Sequence, residues 1–418
     1  MNIVFIHQNM PGQFKHLASK LASSKDNQVI FITKRKNLDI PGVRKIVYEE
    51  PRDPSPSTHR YLVLTERGVL HGQAVARVLI ALKEKGFKPD IIYAHPGWGE
   101  ALYVKDVYPD VPLLGFFEFY YRSSGSDVGF NPEETTTIDD RCRIRTKNII
   151  NLTSLEICDA GVTPTKWQYI QHPPEYLHKL SVIFDGVDTN VCQPDATATV
   201  TLADGAVLSS TDEVVTYVTR NFEHYRGFQW YMQALEDLCK ERPDAHFILI
   251  GGDDISYGKH PVGGVTYREE LLKKVKIDPK RVHFLGRVPY DDYLRVLQIS
   301  SVHVYLTYPF VLSWSLIEAM SVGCLIVGSD TPPVTEVIKD GVNGLLVDFF
   351  DHKQISERVC EALNNKEKYK SVREQARATV LEHYDLKKCI DLQFDLIQKM
   401  ANGYKPALPI TGNNANLS

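Results

Sequence analysis

The sequence predicts an α/β protein made of two doubly wound parallel-sheet domains, Rossmann-like, facing each other across a cleft. Three observations carry this. The chain has 418 residues, too many for one ordinary core at roughly 100–200 residues per domain. Short apolar runs rich in β-formers alternate with helical stretches, the pattern of βαβ units. That alternation pauses once, near the middle, and then restarts.

In the first half the strands read as "NIVFIH" (2–7), "QVIFIT" (28–33), "DIIYAH" (90–95) and "PLLGFF" (112–117). Each is continuously apolar, as a strand covered on both faces requires. "QFKHLASKLASS" (13–24) and "HGQAVARVLIALKEKG" (71–86) read as the helices between them. The stretch 118–150 opens as a loop and turns basic. Arg141, Arg143 and Arg145 alternate there, but on a helix they fan apart, and they read as a solvated face.

The pause is "DGVDTNVCQPDATATVTLADGAVLSSTDE" (185–213), rich in small and turn-forming residues. It reads as linker and loop. Alternation resumes with "EVVTYVT" (213–219), "HFILIGG" (246–252), "RVHFLG" (281–286), "SVHVYLTY" (301–308), "CLIVGS" (324–329) and "NGLLVDFF" (343–350), with helices between such as "GFQWYMQALEDLCKE" (227–241). The predicted domains are 1–185 and 213–385, joined by a linker at 186–212. A helix at 386–404 is expected to return to the first domain, and 405–418 to be a disordered tail.

Composition excludes several classes. Net charge is −4, without the basic footprint of a nucleic-acid binder. The seven cysteines are scattered with no Cys-x-x-Cys pair, which disfavours a zinc ribbon or disulfide scaffold and fits a reducing compartment. "MNIVFIHQN" has neither a basic n-region nor a long apolar h-region. No stretch approaches the ~20 apolar residues of a bilayer span. The chain is expected in the cytoplasm, with peripheral contact at a membrane left open.

In open α/β sheets ligands bind beyond the carboxyl ends of the strands, so the residues there are the candidates. After the first strand stands Gly12, in "HQNMPGQF". A glycine there either lets amides approach an anion or only makes a tight turn. His95 ends "DIIYAH" and can donate to a substrate hydroxyl or be a structural histidine. Arg220 and Arg226 flank a turn that opens a helix at Gly227. Two cations beside a helix start suit a diphosphate, or are two surface arginines.

"PFVLSWSLIEAMSVGC" (309–324) is apolar almost throughout, with Glu318 its one acid. Ser313 is the expected N-cap of its helix. A carboxylate near a core face needs a partner: vicinal ribose hydroxyls would serve, and so would a salt bridge. The sequence holds no Asp-x-Asp, no Gly-x-Gly-x-x-Gly after the first strand and no Walker-type loop. Metal-chelated diphosphates and dinucleotide cofactors are therefore disfavoured.

Together these stretches resemble the retaining glycosyltransferases of the GT-B fold, specifically the large family 4 group. "VTRNFEHYRGFQWYMQAL" (218–235) is similar to the family's Gly-Arg…Lys-Gly stretch, with Arg226 in place of the lysine. "FLGRVPYDDYLRVL" (284–297) resembles its base-binding segment. "LSWSLIEAMSVGCLIVGSDTPPVTEVIKDGVNGLLVD" (312–348) resembles its hallmark run, and "SVIFDGVD" (181–188) its linker motif.

The resemblance implies that Arg220 and Arg226 bind the donor diphosphate and Glu318 the ribose. Amides near Ser313 and Trp314 would touch phosphate. The Arg287–Val288 backbone would frame the base, His95 would meet the donor sugar, and Gly12 would belong to the phosphate- and acceptor-side loop of the first domain. It departs at Phe310, where the family has a second Glu eight residues before the ribose Glu, and at Ser313–Trp314, where it has Gly-Leu.

The implied activity is metal-independent transfer of a hexose, with retention by front-face substitution, from a nucleotide sugar to a glycan or lipid-linked glycan. UDP is favoured over GDP, and no nucleic-acid partner is implied. An inactive nucleotide-binding subunit and a GT-B epimerase or phosphorylase are the alternatives.

Overall fold

The structure is a computed structural model that describes residues 1–258, 261 and 263–406. It divides into two units. One is Met1–Asp185 together with the chain from Cys389, and the other is Gly186–Lys388. The tail expected at 405–418 lies, from 407 on, outside the described residues.

The first unit holds one seven-stranded sheet. Its strands are β1 (Asn2–Ile6), β2 (Gln28–Thr33), β3 (Val43–Val47), β4 (Ile91–Ala94), β5 (Leu113–Phe116), β6 (Ala160–Thr163) and β7 (Leu180–Val182). Their order is β3-β2-β1-β4-β5-β6-β7, and every pair is parallel. Val4, Ile6, Ile30, Ile32, Ile92 and Ala94 pack in one cluster with Val75, Leu79 and Leu82 of the helix Val63–Glu84. Burying each large aliphatic side chain contributes about 1.5–3 kcal/mol. Continuous apolar strands and one-faced helices are thus the cause of the layering. The C-terminal helix Leu386–Ala401 packs here from Cys389 on, where Tyr93 donates to Gln393 and Lys20 pairs with Asp391.

The second unit begins with a hairpin where linker was expected. β8 (Thr199–Thr201) and β9 (Val207–Ser209) pair antiparallel around Asp204–Gly205. Short β-forming runs, Thr-Val-Thr and Val-Leu-Ser, on either side of an Asp-Gly turn are a hairpin signal, and here they prevail over the small-residue composition. The main sheet follows, with β10 (Val214–Asn221), β11 (His246–Gly252), β12 (Val282–Gly286), β13 (Val302–Tyr305), β14 (Leu325–Ser329) and β15 (Leu345–Val347). The order is β12-β11-β10-β13-β14-β15, again all parallel. Among the described residues no helix is long and apolar enough to cross a membrane.

Both sheets reverse winding direction once. In the first the switch lies between β1 and β4, and in the second between β10 and β13. At such a point the loops leaving two adjacent strands diverge and open a crevice. His7 and His95 follow β1 and β4, while Arg226 and Phe310 follow β10 and β13.

Candidate functional site

In the second unit a cavity of about 420 Å³ is lined by Arg220, Gly251, Arg287, Val288, Tyr290 and Tyr293, among others. Three residues singled out in the sequence, Arg220, Arg287 and Val288, thus meet in one place. Arg220 is exposed at the end of β10. The Arg287 guanidinium donates to Asn221 Oδ1 at 3.0 Å and to Asp254 at 2.7 Å. A Cβ at Gly252 would come within 2.8 Å of its Nε and 2.6 Å of Asn221 Oδ1. A side chain at Gly252 would have to push both groups aside.

Glu318 lies in the helix Trp314–Ser321, which Ser313 caps by accepting from the Ser315 amide. Two tyrosines partner its carboxylate. Tyr290 donates to Oε1 and Tyr293 to Oε2, each at 2.7 Å. Burial, and then the carboxylate itself, raise both phenols above their ordinary range. Both therefore remain hydrogen donors. Each carboxylate oxygen keeps a second lone pair, so Glu318 can still accept from a diol. Tyr290 and Tyr293 were missed in the sequence. Their spacing, i and i+3 on the helix Tyr290–Gln298, was the available signal.

Arg226, expected beside the helix start at Gly227 as a diphosphate ligand or a surface arginine, is only 8% exposed, so the surface alternative falls. Its Nη1 donates to Thr307 Oγ1 at 2.7 Å, Val311 O at 3.2 Å and Tyr305 Oη at 3.3 Å. None of these acceptors is a carboxylate. Burial opposes the charge, but the neighbouring Tyr305 and Tyr257 phenols and the Glu223 carboxylate more than offset it, so the guanidinium stays charged. The "RNFEHYRGF" stretch looked polar in sequence, but its turn His224–Arg226 folds inward over β13.

Phe310, which stands where the family has its second Glu, is buried too. It is 5% exposed and packs edge-on against Tyr225 at 5.5 Å and Tyr257 at 4.9 Å. It is part of an aromatic cluster. Tyr257 is brought there by Glu223, whose buried Oε2 accepts from the amides of Ser256, Tyr257 and Gly258 at 3.0–3.3 Å. Arg226 lies 5.8 Å over the Tyr257 ring. The Ser313 amide, expected at phosphate, donates instead to the Tyr305 hydroxyl at 2.8 Å, and a phosphate would have to displace that bond. Trp314 is 46% exposed one turn before Glu318.

In the first unit His95 ends β4 and begins the turn Pro96–Trp98. The Gly97 amide donates to its Nδ1 at 3.3 Å, which places the ring hydrogen on Nε2. The ring stacks on Trp98 at 4.3 Å and is 3% exposed. Its Nε2 has no hydrogen-bond partner. Glu118 Oε2 stands 3.8 Å away.

His7, 4.9 Å from His95 between ring centres, has its pKa lowered to about 3 by burial first and the neighbouring His95 second. Gly12 has φ +50°, and a Cβ there would come within 2.4 Å of His7 Nε2. Its need for glycine is thus steric, and it opens only a three-residue turn, Gly12–Phe14. His7, Gln13 and Glu118 were not singled out in the sequence.

Residues 25–192 match the model of the glycosyl transferase family 4 group, and residues 203–379 that of the glycosyl transferases group 1. The chain is 24% identical over 202 residues to N-acetyl-alpha-D-glucosaminyl L-malate synthase of Bacillus anthracis, covering 47% of this chain and 49% of that one. It spans about half the length of the curated relatives it matches. The fold is similar to sucrose-phosphate synthase of Thermosynechococcus elongatus, with TM-score 0.72 and 16% identity, covering 97% of this chain and 100% of that one. It is also similar to HepE of Anabaena, solved in complex with UDP and glucose, with TM-score 0.67 and 16% identity over 96% of this chain and 100% of that one. At these identities the likenesses show the GT-B fold.

Proposed function

The chain belongs to the group 1 glycosyltransferases of the family 4 group, and from that membership we propose that it is a retaining hexosyltransferase. Its donor is a nucleoside diphosphate sugar, UDP-linked, and its acceptor a hydroxyl of a glycan or lipid-linked glycan. The carrying observation is the cavity that gathers Arg220, Arg287 and Val288 beside the Tyr290–Tyr293–Glu318 triad. A base lies along Val288, a ribose diol reaches Glu318, and a diphosphate meets Arg220 and the buried Arg226.

In the reaction the bond from the anomeric carbon to the β-phosphate oxygen breaks, and its electron pair stays on the diphosphate. Preorganised cations stabilise that charge as it develops, a task a metal would otherwise serve, so no metal is required. The acceptor oxygen bonds the anomeric carbon on the face the diphosphate leaves. Its proton passes to a departing diphosphate oxygen, which accounts for retention without a protein nucleophile. The scattered free cysteines suit the reducing cytoplasm, with peripheral contact at a membrane where the glycan is lipid-linked.

The test is UDP release over a panel of nucleotide sugars with glycan acceptors, in EDTA, with product configuration read by NMR. Turnover with retention supports the proposal, and inversion contradicts it. One observation favours a second reading, a nucleotide-binding subunit without turnover: a buried Phe310 stands where the family has a Glu, and the Ser313 amide is already donated. UDP binding without release from any donor would select it. Activity as an epimerase or phosphorylase would appear in the same assay as a new nucleotide sugar or as phosphate-dependent release.

A further inference from the structure

We infer that Tyr290 is a second specificity residue for the nucleotide: its phenol oxygen and Glu318 Oε1 each accept from one of two vicinal hydroxyls, so that the site selects an intact cis-diol. The inference deepens the glycosyl-transfer reading and rests on it for the presence of a nucleotide.

The Tyr290 phenol has one hydrogen and two neighbours within bonding distance. Glu318 Oε1 stands 2.7 Å away and Cys192 Sγ 3.2 Å. The carboxylate is the stronger acceptor at the shorter distance, so the phenol donates to Glu318. Burial raises the phenol and pushes the Cys192 thiol up to about 11, so the thiol keeps its hydrogen too. With the phenol hydrogen spent, the thiol is the donor of the second bond. That weak bond keeps the phenol hydrogen turned toward the acid. Cys192 is itself held in place. It is fully buried, and its carbonyl accepts from Ser321 Oγ and from the Arg377 guanidinium at 3.1 Å.

Toward a ligand the phenol oxygen can therefore only accept. Of its two lone pairs one takes the thiol hydrogen and one is left. The Glu318 carboxylate also only accepts. Two acceptors thus stand 2.7 Å apart and offer no donor of their own. Vicinal cis hydroxyls of a furanose ring carry two O–H donors at about the same separation. One can donate to Glu318 while its neighbour donates to Tyr290. A deoxy sugar leaves one acceptor without its donor, and a phosphate on either hydroxyl brings like charge against the carboxylate. Exposure separates the two tyrosines. Both line the cavity, but Tyr290 is 49% exposed and Tyr293 only 8%. Tyr293 holds the acid from its buried side, and Tyr290 stands where a ligand reaches it. Val288, the proposed base contact, is two residues earlier in the chain, which brings the sugar next to the base over this pair.

The test is calorimetry on the full chain with UDP, 2′-deoxy-UDP and 3′-deoxy-UDP, for the parent, Tyr290→Phe and Tyr293→Phe, each variant first matched to the parent by its melting curve. In the parent each deoxy analogue should bind about fivefold or more weakly than UDP. Tyr290→Phe should bring one analogue within about twofold of UDP and leave the discrimination against the other. The analogue that recovers identifies the hydroxyl that Tyr290 meets. Tyr293→Phe loses an orienting bond but no ligand contact, so it should weaken all three ligands alike and leave both ratios as in the parent. A parent indifferent to both analogues, or ratios in Tyr290→Phe that stay unchanged or fall equally, would overturn the inference and leave the glycosyl-transfer reading standing. A parent that binds no UDP would overturn that reading, and the inference with it.

Discussion

The Tyr293 hydroxyl donates to Glu318 Oε2 at 2.7 Å, so the acid expected to meet ribose is oriented from within its own unit. Tyr293→Phe should weaken UDP binding roughly fivefold, on the scale of one ordinary net hydrogen bond, because the bond lost orients the acid rather than touching the ligand. It should do so with little change in melting temperature, because the ring still packs. Calorimetry beside a melting curve checks this. A loss of stability with unchanged UDP affinity would make Tyr293 a packing residue only.

The Arg226 guanidinium ties the turn after β10 to the loop after β13. Arg226→Ala should lower turnover about 10²-fold and also lower the melting temperature, since buried acceptors lose their donor. Arg226→Lys should recover stability more than rate, because one ammonium cannot reproduce the fork of donors. A near-parental rate in the alanine variant would remove Arg226 from the reaction.

Phe310→Ala should cost about 3 kcal/mol of stability, by loss of buried aromatic contact and by the cavity left. UDP affinity should stay within a few-fold. Urea unfolding and calorimetry read the two effects separately. A changed ranking of donor sugars at unchanged stability would contradict the buried placement.

Burial, the largest cause in each case, depresses His7 to about 3, His172 to about 4 and His303 to about 3. Each folded pKa lies below the unfolded value, so the unfolded chain takes up the protons first. Stability is therefore full above about pH 6.5 and falls as pH drops from there toward 3 or 4, by up to about 1.4 kcal/mol per pH unit for each histidine. His303→Gln should flatten the slope of melting temperature against pH between 6.5 and 5. A slope unchanged in that variant would exclude His303 as a contributor.

The sheets were legible because parallel strands buried on both faces are continuous apolar words. "QVIFIT" and "HFILIGG" match β2 and β11 end to end. β3, "VRKIV", was missed because an edge strand is only half-buried and carries charge. At the site, Arg220, Arg287, Val288 and Glu318 were legible through motif and strand-end position. The burial of Arg226 and Phe310 was not, because it depends on how two loops from non-consecutive strands fold onto each other. The role of Tyr290 depends on Cys192 and Glu318, 98 and 28 residues away in the chain, a distance no local pattern encodes.

The central claim is that a nucleoside diphosphate binds the second unit through arginine cations and Glu318 without metal. Titration of UDP into the full chain by calorimetry, in EDTA and again with magnesium, tests it most directly, beside Arg220→Ala and Glu318→Ala. The account predicts binding in EDTA that magnesium leaves within about twofold, and a loss of at least about tenfold in each variant, the scale of one or two charge-assisted bonds. Binding that appears only with magnesium, or that survives both substitutions, would contradict it.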